Sequence, residues 1–111
     1  MTERRTGQVL LASSAARDLE EIARYLAQDS PARARELVGR LLRAARTLRQ
    51  SSARGRVVPE LRALGLHAWR ELVVRPYRVV YRLDGKTVLV LAVLDGRRDL
   101  EDLLLERLLR G

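Results

Sequence analysis

The sequence predicts an α+β domain in the order β-α-α-β-β-β, in which a helix hairpin packs on an antiparallel sheet and a C-terminal helix follows. Three observations carry that class. Two stretches, Ala15 to Leu26 and Ala34 to Leu48, place apolar residues at the spacing of a helix face. Trp69 to Leu94 instead shows strand-like alternation, interrupted by turn signals. The segment after Asp99 returns to helical spacing with a stripe of leucines. At 111 residues the chain is long enough to bury one core, and residues 1-111 read as a single domain.

Gln8 to Ala12 (QVLLA) is a short strand. Ser13 and Ser14 follow it, and either suits the capping position of the next helix. There, Ala15, Leu19, Ile22, Ala23 and Leu26 form the apolar stripe, with Asp18, Glu20, Glu21 and Arg24 off it, and the helix ends near Asp29. Ser30 before Pro31 is a fresh start signal, a capping hydroxyl with proline at the first helical position. Ala34, Leu37, Val38, Leu41, Ala45 and Leu48 continue the apolar face, so the two helices form an antiparallel hairpin.

QSSARG reads as a loop. GRVVPELRALGLHA reads as irregular, because Pro59 lacks a ladder donor and Gly55 and Gly65 punctuate it. Trp69 to Val74 and Tyr77 to Leu83 are two strands broken at Arg75-Pro76, and Asp84-Gly85 turns the chain into a third, Lys86 to Leu94. On the middle strand Tyr77, Val79, Tyr81 and Leu83 share one face and Arg78, Val80 and Arg82 the other. The tyrosine face should meet the helix hairpin. Arg78 and Arg82 should then stand on an uncovered face, where Arg70, Arg97 and Arg98 could join them as a binding surface. The competing explanation is that alternating arginines only keep an exposed sheet face soluble. In the last segment Asp99 suits a cap for a helix striped by Leu100, Leu103, Leu104 and Leu108, widened by Leu105 and Leu109. That helix packs on its own domain or offers its leucines to a partner.

Composition excludes several classes. With no Cys there is neither a disulfide framework nor a thiolate metal site. No apolar run reaches the roughly 18 residues of a membrane span, and the apolar stretch of MTERRTGQVLLAS is too short for a secretion signal, so a soluble, cytoplasmic protein is expected. A phosphate-binding glycine loop, paired carboxylates at metal spacing and a Ser-His-Asp set are absent, and neither a cofactor nor a metal is expected. His67, the only histidine, falls in the irregular stretch and reads as a surface imidazole. The net charge of +8 is unevenly placed: Arg33 to Arg78 holds twelve basic residues against Glu36, Glu60 and Glu71. Such an excess suits a polyanion or an acidic protein segment.

In their order and spacing, ARDLEEIARYLAQDSPARARELVGRL, GRVVPEL, WREL, PYRVVYRL and VLVLAVLDGRRD resemble the RelE/ParE superfamily of type II toxins, the plasmid stabilisation proteins, across nearly the whole chain. The resemblance implies a bacterial toxin neutralised by a cognate antitoxin, whose segment docks beside the helix hairpin and sheet. It leaves open a homodimer or a heterotetramer with that antitoxin. Two activities occur in the superfamily. ParE-like members inhibit DNA gyrase by binding, and RelE-like members cut messenger RNA on the ribosome. Arg70, Arg78 and Arg98 match basic positions of the nuclease branch. A further basic position falls at Leu72, however, and the Tyr or His expected after Arg98 falls among Leu103, Leu104 and Leu105. RNA cleavage needs proton transfer as well as charge. Glu71, the one candidate base, falls on the Trp69 face. RVVPEL, and REL followed by PYRVVYR, are similar to the ParE branch, which implies a gyrase inhibitor.

Overall fold

The computed structural model of the chain describes residues 7–97 and 100–110. Strand β1 (Gln8–Leu11) leads into helix α1 (Ser13–Ala27), and helix α2 (Pro31–Arg46) runs on through a 3-10 turn at Thr47–Arg49. The second helix starts as its sequence directs: Ser30 Oγ accepts from the Arg33 backbone N–H at 3.2 Å, with Pro31 opening the first turn. Neither Ser13 nor Ser14 caps the first. The N-cap is Ala12, whose N–H still bonds Val90 O at 2.8 Å, so the chain passes from sheet to helix without a capping side chain. Ser14 Oγ is thereby turned onto the sheet, where it donates to Leu91 O at 2.7 Å.

The stretch expected to be irregular contains two small elements, β2 (Arg56–Val57) and α3 (Pro59–Arg62). Pro59 opens α3, where its missing N–H costs nothing. Three longer strands follow, β3 (Trp69–Val74), β4 (Tyr77–Asp84) and β5 (Thr87–Asp95). The sheet order is β1-β5-β4-β3-β2. The predicted meander of β3, β4 and β5 is antiparallel, as is β2 on β3, while β1 joins β5 in parallel. Asp84 pairs with Thr87 across Gly85 and Lys86, and Gly85 takes the positive φ of +64° that the first position of a tight hairpin loop demands.

The parity of β4 is as the alternation requires. Tyr77, Val79 and Tyr81 are buried against Ala15, Leu19, Leu41, Ala45 and Leu48 of the helix hairpin and its turn. The opposite face is not uncovered, and here the expectation fails. Val80, Trp69, Leu91, Ala92 and Leu94 form a second core, closed by Val58 and Leu61 around α3, by Leu100, and by Leu104 of the last helix, α4 (Glu101–Arg110), which Leu100 immediately precedes. Leu100 and Leu104 are fully buried whereas Leu109 is exposed, so the leucine stripe mainly serves the protein's own interior. The expected cap Asp99 lies outside the described residues.

A bulge lets β5 feed both cores. Val80 pairs with Ala92 but Tyr81 with Val90, leaving Leu91 as the extra residue. Val88, Val90 and Val93 therefore face the hairpin while Leu91, Ala92 and Leu94 face α4. β1 pairs with β5 only as far as Val90, and side chains cap the edge beyond. Asp18 accepts from Val93 N–H at 2.9 Å and holds Arg107 of α4 at 2.7 Å, which ties α4 to α1.

Candidate functional site

Arg78, expected on an open surface, is buried at 7% exposure in an ion network. Its Nε donates to Glu71 Oε1 at 2.6 Å, and its two terminal nitrogens grip Glu60 at 2.7 and 2.6 Å. The other oxygen of Glu71 accepts from Arg56 Nε at 2.7 Å. Four elements assemble this: Arg78 from β4, Glu71 from β3, Arg56 from β2, and Glu60 from α3, which Leu61 anchors in the second core. Gly96 makes room, since a Cβ there would stand 2.9 Å from the Arg78 stem. The bidentate Arg78 guanidinium holds the Glu60 carboxyl below the ordinary carboxylate range, and Glu60, then Glu71, raise Arg78 further above its already high value. Glu71, with its side chain wholly buried and both oxygens occupied, is not placed to take a proton from a substrate.

The other arginines do not converge as expected. Arg70 pairs across from Tyr81 and so lies on the hairpin side, where it donates to Gly55 O at 2.7 Å. That bond belongs to a loop anchor: Gly55 N–H donates to the Tyr81 hydroxyl at 2.9 Å, which itself donates to Ser52 O at 2.8 Å. Burial pushes the Tyr81 hydroxyl above its ordinary value and keeps it a donor. Arg82 shares the Arg78 face but stacks on Trp69, 5.2 Å from the ring centroid. Arg97 is exposed and paired with Asp95 at 2.6 Å. Arg98 lies outside the described residues. His67 is exposed, and among the described residues no group of His, Asp and Glu could hold a metal.

Two grooves flank the Arg75-Pro76 turn between β3 and β4. The first, about 360 Å³, lies between the helix hairpin and the sheet over Leu26, Leu37, Pro76 and Tyr77. Arg33, Arg40, Arg75 and Arg97 surround it, against the single acid Glu36. The second, about 340 Å³, runs from the same turn past Val73 and Gly96 to Arg56 and Arg78. The sequence signal for the buried network was the scarcity of acids: two of the three in the basic half, Glu60 and Glu71, both serve Arg78. Arg56 and Arg75 had no local signal beyond charge.

Residues 9–100 match the family described as ParE toxin of type II toxin-antitoxin system, parDE. Solved structures share the fold, two toxin-antitoxin chains among them. A chain of the chromosomal ParDE toxin-antitoxin system of P. aeruginosa superposes with a TM-score of 0.64 at 23% identity, covering 78% of this chain and 91% of that one. A chain of the RelBE2 toxin-antitoxin complex of Mycobacterium tuberculosis gives 0.62 at 21% identity, covering 86% and 97%. No curated protein matches the chain. Among the described residues no helix is long and apolar enough to cross a membrane.

Proposed function

The chain belongs to the ParE toxin family of type II toxin-antitoxin systems, and from that premise we propose that it acts in the bacterial cytoplasm by binding and inhibiting DNA gyrase until a cognate antitoxin neutralises it. The fold does not choose between inhibitor and nuclease, because the ParDE and RelBE2 structures are almost equally similar. The observation that supports inhibition by binding is the state of Arg78. A cation that stabilises charge on a cleaved phosphate must present free donors to it, and removing even one such donor is costly to catalysis. Arg78 instead spends its donors on Glu60 and Glu71, and Arg70 stands on the opposite face of the sheet. The two carboxylates bonded to Arg78 are both engaged, Glu71 by Arg56 and Arg78 and Glu60 by the Arg78 fork, which leaves neither free to move a proton.

Induction without antitoxin should then stop replication and switch on the DNA-damage response, and the purified protein should inhibit gyrase supercoiling or trap its cleaved complex. Ribosome-dependent cutting of messages, with intact supercoiling in the presence of the protein, would overturn the proposal in favour of the nuclease branch.

A further inference from the structure

The outer face of α2 carries a charge pattern that works against its own helix. Arg40, Arg43, Arg46 and Arg49 recur every three residues (RLLRAARTLR) from α2 into its 3-10 turn, and all four are exposed. Positions three apart are neighbours on a helix, so these cations form one ridge that climbs about 4.5 Å along the axis at each step. Like charges at that spacing weaken a helix. α1 shows the ordinary alternative, since its exposed Arg17, Glu20, Glu21 and Arg24 mix both signs at spacings of three and four. On α2, Arg40, Arg43 and Arg46 make no ion pair among the described residues, and between Glu36 and Glu60 the chain has six arginines and no acid. Gly39 stands one turn before Arg43, whose guanidinium lies 3.1 Å from where a Cβ would be, so no side chain there projects past the cations. At its far end the ridge meets a shallow cleft of about 580 Å³ beside the start of β1, walled by Arg46, Arg49 and Gln50.

We propose that this ridge binds the sugar-phosphate backbone of duplex DNA without regard to sequence, Arg40, Arg43 and Arg46 meeting phosphates along one strand. The occupant follows from what the ridge lacks. An acidic protein segment needs apolar anchors to hold it, and the large apolar residues of α2 and its turn, Leu37, Val38, Leu41, Leu42 and Leu48, are all buried or half-buried. A bilayer surface needs exposed apolar or aromatic side chains on the same helix, and for it these residues are equally out of reach. Single strands are gripped by stacking on aromatic side chains, and α2 and its turn contain none. A row of guanidinium groups with no exposed apolar or aromatic side chain between them is left with phosphates, the contact that positions a duplex without reading its bases. That the duplex is DNA and not RNA rests on the gyrase function proposed above; the backbone chemistry does not.

The test uses the full chain and fluorescence anisotropy with four labelled probes of matched length: duplex DNA, duplex RNA, single-stranded DNA and a polyglutamate peptide, titrated between about 50 and 200 mM salt. Wild type is compared with Arg40→Gln/Arg43→Gln/Arg46→Gln and with Arg17→Gln/Arg24→Gln/Arg62→Gln, which removes the same charge from exposed positions off the ridge. Glutamine is close to arginine in helix propensity, so both variants should keep the wild-type urea midpoint. Duplex DNA should bind wild type with an affinity that falls steeply as salt rises. The ridge variant should lose about tenfold or more at the same salt, and its plot of log affinity against log salt should flatten by about 2–3, or about 0.9 for each phosphate contact removed. The control should lose less than about threefold and keep its slope to within about 1. Equal losses in the two variants would reduce the attraction to general charge and overturn the site. So would a wild type that fails to bind duplex DNA at the lowest salt, or ridge-dependent binding that favours the RNA duplex, the single strand or the peptide. Gyrase supercoiling in the presence of wild type is scored separately. Unimpaired supercoiling would count against the gyrase function and leave the ridge result standing, whereas inhibition by a protein that does not bind duplex DNA would sink only the ridge.

Discussion

Replacing Arg78 by Met should unfold much of this protein's margin of stability, and the structure says where the cost arises. Met preserves the methylene stem that packs over Gly96 but removes the guanidinium. Glu60 loses its partner at little expense, because its side chain is 26% exposed and water can replace the bond. Glu71 cannot be rehydrated in this way, since its side chain has no exposure and its remaining partner, Arg56, is itself 59% exposed. Breaking a buried pair by removing one partner costs about 3–5 kcal/mol, and the half-exposed Arg56 compensates the charge left on Glu71 only in part. A domain of ordinary stability has only about 5–15 kcal/mol in total. The assay is urea denaturation followed by the fluorescence of Trp69, the only tryptophan, buried on the same face of the sheet. At roughly 4–6 °C per kcal/mol for a domain of this size, the melting temperature should fall by more than about 12 °C. The companion Arg78→Met/Glu71→Leu removes both ends of the pair and should return to within about 1–2 kcal/mol of wild type, because a buried ion pair is worth little against apolar packing. A single Arg78→Met variant as stable as wild type would refute the reasoning, since Glu71 would then not depend on Arg78.

Three further outcomes follow from the packing. Gly55→Ala should cost about 1–3 kcal/mol in the same urea titration, because its Cβ would lie 2.4 Å from Glu71 O and 2.8 Å from the Tyr81 hydroxyl. Leu104→Ala should cost about 2–5 kcal/mol by opening the second core, with α4 the first element to lose amide-exchange protection. Because Arg78 depresses the Glu60 carboxyl, the stability this pair contributes is fully present above the ordinary carboxylate range and is lost as pH falls through the lower folded value. Urea midpoints should accordingly drop below about pH 4, and Glu60→Gln should flatten that part of the profile.

Much of the architecture was legible because it rests on local signals. Ser30-Pro31 fixes the start of α2, the Asp84-Gly85 pair fixes the β4–β5 hairpin, and alternation along Tyr77 to Leu83 sends the tyrosines to the helices. What was illegible depends on partners distant in sequence. An arginine alternating on a strand looks outward until carboxylates 7 and 18 residues away fold over it. The apolar run VLVLAVLD has no clean alternation, so nothing in it announces the bulge that sends Leu91 and Ala92 to the same side. Arg70 does not share a face with Arg78 because the parity of β3 relative to β4 is set by their pairing register, which strand alternation alone leaves open: Arg70 opposes Tyr81, and Glu71 and Val73 accompany Arg78. The second core needed α3, a single turn hidden in a stretch rich in loop residues, to be recognised as a lid.

That buried network also changes what a mutation at Arg78 can prove. An arginine on a motif strand invites an alanine test for catalysis, yet loss of toxicity in such a variant is expected on stability grounds alone, from the charge it strands at Glu71. The stabilised double variant separates the two causes. If Arg78 acts only by holding β3, β4 and α3 together, Arg78→Met/Glu71→Leu should regain its urea midpoint and, with it, whatever growth arrest the wild type produces. If the guanidinium contacts a phosphate or a target, the same variant should fold as well as wild type and still lose toxicity. Folding without toxicity would reassign Arg78 from scaffold to site, and the neutralised arginine could no longer be set against the nuclease branch.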